Sequence, residues 1–119
     1  MGLLDAIKSG FWNYSEFSGR ASRAEYWLWH LFVMLLCIPC IMLDTAWFPS
    51  NSPGPIYKTA FIVTFIPGIC VSIRRLHDVG KSGFWFLIAF TGIGSILLIY
   101  WFLISGEKKA NAYGLPPSS

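Results

Sequence analysis

With 119 residues the chain has room for one domain, and 55% of it is apolar while 13% is charged, against about 25% charged in an average soluble domain. A soluble body this small cannot enclose so much apolar surface, so lipid must cover part of it and a wholly water-soluble protein is excluded. The net charge of +3 is too small and too scattered for a nucleic-acid surface; the basic residues instead flank apolar runs, where anionic lipid headgroups lie.

The first 24 residues are interrupted by Asp5, Lys8, Glu16, Arg20 and Arg23. No apolar core leads there to a small-residue cleavage site, so the segment is expected to persist rather than to act as a secretory signal. Within residues 3–17, Leu3, Leu4, Ile7, Phe11 and Tyr14 fall near helical spacing. This predicts a helix lying in the membrane interface with Lys8 and Glu16 in water, weakened at Ser9-Gly10.

Ser22-Arg23-Ala24-Glu25 then has the form of a capping box, with Ser22 as N-cap and Glu25 at N3. It opens an apolar run over 26–43, close to the ~20 residues that cross a bilayer core. Tyr26, Trp27 and Trp29 lie at one end of this run and Trp47 beyond the other, as interfacial aromatics do. Pro39 is expected to bend it. Residues 44–57, with Pro49, Pro53, Gly54 and Pro55, read as an exposed loop. A second run, 58–73, is interrupted by Pro67-Gly68 and flanked by Tyr57 and Arg74, which can reach the interface from its ends.

Between this run and the next sits a polar knot, Arg74-Arg75-Leu76-His77-Asp78-Val79-Gly80-Lys81-Ser82. Gly80 is a natural helix stop and Ser82 a candidate N-cap. The third run, 84–104, is 21 residues long and uncharged. Its length predicts a third crossing. The alternative is a re-entrant hairpin turning at Thr91-Gly92-Ile93-Gly94-Ser95, which would return Lys108 and Lys109 to the side of the other cations. The tail, 105–119, is polar and is expected to be poorly ordered. A cytoplasmic N-terminus puts Lys8, Arg20, Arg23, Arg74, Arg75 and Lys81 inside and leaves Lys58 outside between the first two spans, as the positive-inside rule requires. The predicted fold is all-α: a small multi-pass membrane bundle with an N-terminal interfacial helix.

Two stretches together resemble a known family. Phe17-Ser18-Gly19-Arg20-Ala21-Ser22-Arg23-Ala24-Glu25-Tyr26-Trp27 is similar to its opening signature. Arg74-Arg75-Leu76-His77-Asp78, followed by Lys81-Ser82-Gly83 and Trp85, is similar to its central one, and Asn111 with Tyr113-Gly114 resembles its closing pattern. The family is that of bacterial inner-membrane proteins designated domain of unknown function 805. Leu115 stands where the family commonly has Pro followed by an acidic residue. The resemblance covers about Phe11 to Pro116 and implies a multi-pass protein of the bacterial cytoplasmic membrane. It implies no reaction.

The knot holds the candidate chemistry. If the second helix continues to Asp78, Arg74 and Arg75 stand at i,i+4 and i,i+3 to it. Arg20, Arg23, Arg74, Arg75 and Lys81 near one membrane face could hold a phosphate or an anionic lipid headgroup, although cations at the cytoplasmic ends of spans are topology determinants by default. His77 beside Asp78 is a speculative proton carrier. Gly80-Lys81-Ser82 lacks the upstream Gly and the strand of a P-loop, so a nucleotide site of that kind is rejected.

Cys37-Ile38-Pro39-Cys40 has redox-pair spacing but lies in an apolar span, where inert thiols are expected; Cys70 cannot join the pair as a metal ligand. His30, about one turn inside the first span, is expected to bond backbone, with a meeting with the knot as the alternative. No metal or cofactor is expected. The leading reading is a non-enzymatic membrane protein binding anionic phospholipids or a membrane protein partner, with self-association a candidate. An oligomeric channel or transporter, or an enzyme acting on a phosphorylated lipid, are the alternatives.

Overall fold

A computed structural model of the chain describes residues 2–51 and 53–117. Ser118 and Ser119 of the expected tail, and Ser52 of the expected connector, lie outside the described residues. The fold is helical: α1 (Leu3–Trp12), α2 (Arg23–Trp47), α3 (Pro55–Asp78), a 3-10 segment (Gly83–Phe90) and α4 (Gly92–Leu103).

α2 and α3 form an antiparallel hairpin of 25 and 24 residues, each reaching ~36 Å, more than the ~30 Å hydrocarbon core of a bilayer. Both outrun the apolar runs seen in sequence. Ser22 starts α2 early by accepting the Glu25 amide at 3.1 Å. The far turn, expected as a loop over 44–57, is helical over 44–47 and again over 55–57, where Asp44 in the last turn of α2 caps α3. Its carboxylate accepts the amides of Gly54, Ile56 and Tyr57 at 2.8–3.0 Å, groups that a helix N-terminus leaves unpaired. Pro55 occupies the first turn, where its missing N–H costs nothing. Pro39 and Pro67 lie inside their helices without ending them.

Toward this far turn the two helices have little protein cover: Met42 is 66% and Ile62 68% exposed, and Met34, Ile38, Phe61 and Phe65 face outward with them. Apolar residues turned outward along two long helices describe a lipid-facing surface rather than the core of a soluble bundle.

The opposite end is thicker. α1 packs on both α2 and α3 rather than lying apart from them, and it stops at Trp12 instead of reaching 17. Gly10, read in sequence as a weakness, allows the contact: a Cβ there would overlap the Trp29 indole. Ser9 donates to Glu25 at 3.0 Å. Lys8 and Glu16 are exposed, as expected.

The run 84–104 does not pass along the bundle once. It breaks at Thr91, whose hydroxyl accepts the Gly94 amide at 2.9 Å and starts α4. The 3-10 segment packs against α3, with Gly83 against Ile73, and α4 packs back on the 3-10 segment. The hairpin leaves beside α3 and returns to the same end, so the 84–104 run is two packed arms turning at Thr91 rather than one straight helix. A cluster of Tyr26, Trp29, Val71, Leu76, Leu98, Trp101 and Phe102 forms the core where the arms meet α2 and α3.

Candidate functional site: an ion-paired cap

Three arginines and two carboxylates are buried together where α2 begins and α3 ends. Arg20 Nε lies 2.9 Å from one oxygen of Asp78, and Arg75 Nη1 lies 2.5 Å from the other. These side chains are 1%, 0% and 7% exposed for Arg20, Arg75 and Asp78. Arg74 Nη1 meets Glu25 at 2.9 Å. α3 does continue to Asp78, and of the two expected helical pairs the i,i+3 one forms. Arg74 turns away to α2. Glu25 therefore completes half of the expected capping box: its amide is bound by Ser22, while its carboxylate serves Arg74 and Ser9.

The cap holds one more buried cation than it holds carboxylates, and backbone oxygens take up part of the difference, while Arg74 Nε and Nη2 and Arg75 Nε have no hydrogen-bond partner among the described residues. Arg20 donates to the carbonyls of Asp78, Glu107, Lys109 and Gly114; Arg75 donates to those of Ala21 and Ile104. Two of these oxygens, on Asp78 and Ile104, lie at the C-terminal ends of α3 and α4. The last turn of α4 leaves its carbonyls without intrahelical partners, and three successive ones are taken from α2 and α3. Trp27 Nε1 takes Phe102 at 2.9 Å, Arg23 takes Leu103 at 3.2 Å and Arg75 takes Ile104. This capping pins the returning arm of the hairpin to the cap.

The tail, expected to be poorly ordered, closes over this arrangement as far as residue 117. The Glu107 amide donates to the Asp78 carbonyl at 2.7 Å. Asn111 donates to the His77 carbonyl at 3.0 Å. Tyr113 stacks on His77 with ring centres 3.9 Å apart and planes 2° from parallel. Gly106 lies so close to the Asp78 carboxylate that a Cβ would collide with it.

These contacts decide which candidate residues remain open to a ligand. Arg20, Arg74 and Arg75 are buried and internally paired. Arg23 is exposed, Lys81 is half-buried with its ammonium 5.4 Å from the Trp101 ring centre, and Lys108 and Lys109 are exposed. Arg23 and Lys108 line a cleft of about 210 Å³ with Ser105, Glu107, Asp78, Pro116 and Pro117. The candidate proton carrier is not wired to its neighbour. His77 Nδ1 lies 2.9 Å from the Gly19 carbonyl, which can only accept, so Nδ1 carries the proton. Both Asp78 oxygens are held by arginines.

His30 bonds the Tyr26 carbonyl at 2.9 Å, as expected of a histidine satisfied by backbone. Cys37, Cys40 and Cys70 are free thiols, and Cys70 reaches the Tyr14 carbonyl at 3.5 Å. Glu16, outside the helices, is held below the usual carboxylate range by the hydroxyl and amide of Ser18.

Sequence reasoning missed Asp44 as a cap and Glu25 as an ion-pair partner. Each carboxylate stands within or beside an apolar run, where a charge needs a partner; that was the available signal.

Residues 14–115 match the family described as "Protein of unknown function (DUF805)". The chain is 35% identical over 107 residues to inner membrane protein YhaI of Escherichia coli K12, covering 88% of each chain. It is 34% identical over 110 residues to inner membrane protein YhaH of the same organism, covering 88% of this chain and 89% of that one. No solved structure matches. The opening and central motifs that build the cap both lie inside the matched region, and the chain belongs to the DUF805 family of inner-membrane proteins.

Proposed function

We propose that this is a non-enzymatic inner-membrane protein whose cytoplasmic cap binds anionic phospholipid headgroups. In this reading α2 and α3 cross the bilayer, the 3-10 segment and α4 form a re-entrant hairpin, and both termini lie in the cytoplasm. The hairpin's backbone is helical in both arms and packed on protein, as non-spanning backbone at membrane depth must be.

The carrying observation is the division among the cations. Arg20, Arg74 and Arg75 are buried inside the cap, while Arg23 and Lys108 stand at its rim beside an open cleft and Lys81 lies nearby over Trp101. Buried arginines fix the architecture; outward cations at a membrane face meet anionic lipid, each adding roughly 1 kcal/mol. With both termini inside, Lys8, Arg23, Lys81, Lys108 and Lys109 share one side, which also satisfies the positive-inside rule.

Native mass spectrometry of the protein from phosphatidylglycerol-containing nanodiscs tests this. An Arg23→Gln, Lys81→Gln, Lys108→Gln variant, shown by its near-ultraviolet circular dichroism to keep the parent fold because Arg23 also holds the Leu103 carbonyl, should lose most retained phosphatidylglycerol. Equal retention by parent and variant would refute headgroup binding by these cations.

A further inference from the structure

We propose that a cleft between α2 and α3, closed by Phe86 of the 3-10 segment, binds the planar, uncharged, carbonyl-bearing ring of a membrane-soluble quinone, with the Trp29 indole N–H as donor. Trp29 is 1% exposed, and its Nε1 has no hydrogen-bond partner among the described residues. A buried indole N–H without an acceptor carries the full cost of its lost hydration, and buried tryptophans ordinarily find one. Trp27, two residues earlier, does so at Phe102.

The orphaned donor lies at the wall of the cleft. Trp29 and Gly68 both line this space of about 230 Å³, and a Cβ at Gly68 would sit 3.7 Å from Trp29 Nε1. The N–H itself is shut off from solvent, and the missing side chain at Gly68 lets an acceptor approach it once a ligand enters the cleft beside it. The other polar side chains lining the cleft already make hydrogen bonds, His30 through Nδ1 alone. Thr64 donates to Ala60, Ser72 to Gly68, and His30 Nδ1 to Tyr26. The surrounding walls are aromatic: Trp29, His30, Phe61, Phe65 and Phe86, which suits a flat ring through offset or edge contacts.

Charge and depth narrow the ligand class. Among the described residues no Lys or Arg lines the cleft, so an anionic headgroup would be desolvated there without compensation. The cleft extends from Ser72 to Phe61, about 9 to 26 Å along α3 from Asp78 at 1.5 Å per residue, deeper than headgroup phosphates lie. An acyl tail reaches that depth but offers no acceptor. A quinone ring is uncharged, flat, soluble in the bilayer and carries carbonyl acceptors. The assignment rests on the proposed crossing of the bilayer by α3 with Asp78 at its face, and not on headgroup binding by the cap.

The test uses the full chain, ¹⁵N-labelled at tryptophan, in phosphatidylcholine nanodiscs titrated with decylubiquinone. The Trp29 indole resonance is assigned by its loss in Trp29→Phe, or by its displacement in Gly68→Ala should the first variant fail to fold. The expected result is a saturable downfield shift of the Trp29 N–H proton, an apparent Kd at least about ten-fold weaker in Gly68→Ala, and no shift with decylbenzene, which has the tail and a ring without carbonyls. Absence of a saturable shift, an equal shift with decylbenzene, or an unchanged Kd in Gly68→Ala would each overturn the proposal.

Discussion

Replacing Asp78 with Asn removes the negative charge at the centre of the cap while preserving its shape. In the parent, one carboxylate oxygen holds Arg20 at 2.9 Å and the other holds Arg75 at 2.5 Å, with both arginine side chains at most 1% exposed. The substitution raises the buried excess from one positive charge to two, leaving Glu25 as the remaining buried carboxylate of the cap. Neither guanidinium can swing to water without displacing the tail or the end of α4, because both also donate to their carbonyls. Removing one partner of a buried ion pair costs about 3–5 kcal/mol. For a chain of this size, with roughly 4 °C per kcal/mol, that lowers the melting temperature by about 12–20 °C.

Thermal unfolding in detergent, followed by near-ultraviolet circular dichroism, reads the change. Lys108→Gln is the matched surface control and should shift melting by under about 4 °C, as exposed charges contribute at most about 1 kcal/mol. An Asp78→Asn protein melting within about 3 °C of the parent would refute the account, since the carboxylate would then not be neutralising buried charge.

Two further perturbations probe other joints. Gly10→Ala drives a methyl group into the Trp29 indole and should cost about 1–3 kcal/mol by overpacking, with faster proteolysis near α1; unchanged melting and unchanged protection would show that α1 does not dock there. Asp44→Ala removes the acceptor of three backbone amides and should speed hydrogen exchange at Gly54, Ile56 and Tyr57 while sparing the cap, whereas unaltered exchange at those amides would contradict the capping role.

Features governed by neighbouring residues were legible in the sequence. Ser22 caps α2, Ser82 accepts the Phe84 amide at 3.3 Å to start the 3-10 segment, and Gly80 ends α3 with a φ of 78°, a conformation that favours glycine. The Arg75–Asp78 pair follows from helical spacing once α3 is continued. What escaped reading depends on residues far apart. Glu25 and Arg74 are separated by 49 positions and Arg20 and Asp78 by 58, so hydropathy places these charges at a membrane face without saying which will be buried together.

The hairpin, offered in sequence as the alternative to a crossing, was not preferred, and for a different reason. A 21-residue uncharged run has the same composition whether it crosses or folds back. Its path is set by Thr91 starting a second helix and by the Phe102, Leu103 and Ile104 carbonyls finding donors on Trp27, Arg23 and Arg75. The tail was similarly hidden, because its order comes from donors on Arg20 and Asn111 and from the stacking of Tyr113 on His77, not from local propensity.

The most direct test of the central claim, a hairpin that returns the tail to a cytoplasmic cap, is the sidedness of residue 108. In a variant with Cys37, Cys40 and Cys70 replaced by Ser, single cysteines at the exposed positions Asn51 and Lys108 would be challenged with a membrane-impermeant maleimide in spheroplasts. The account predicts that Asn51→Cys labels from outside and Lys108→Cys only after the membrane is opened; labelling of Lys108→Cys from outside in intact spheroplasts would contradict it.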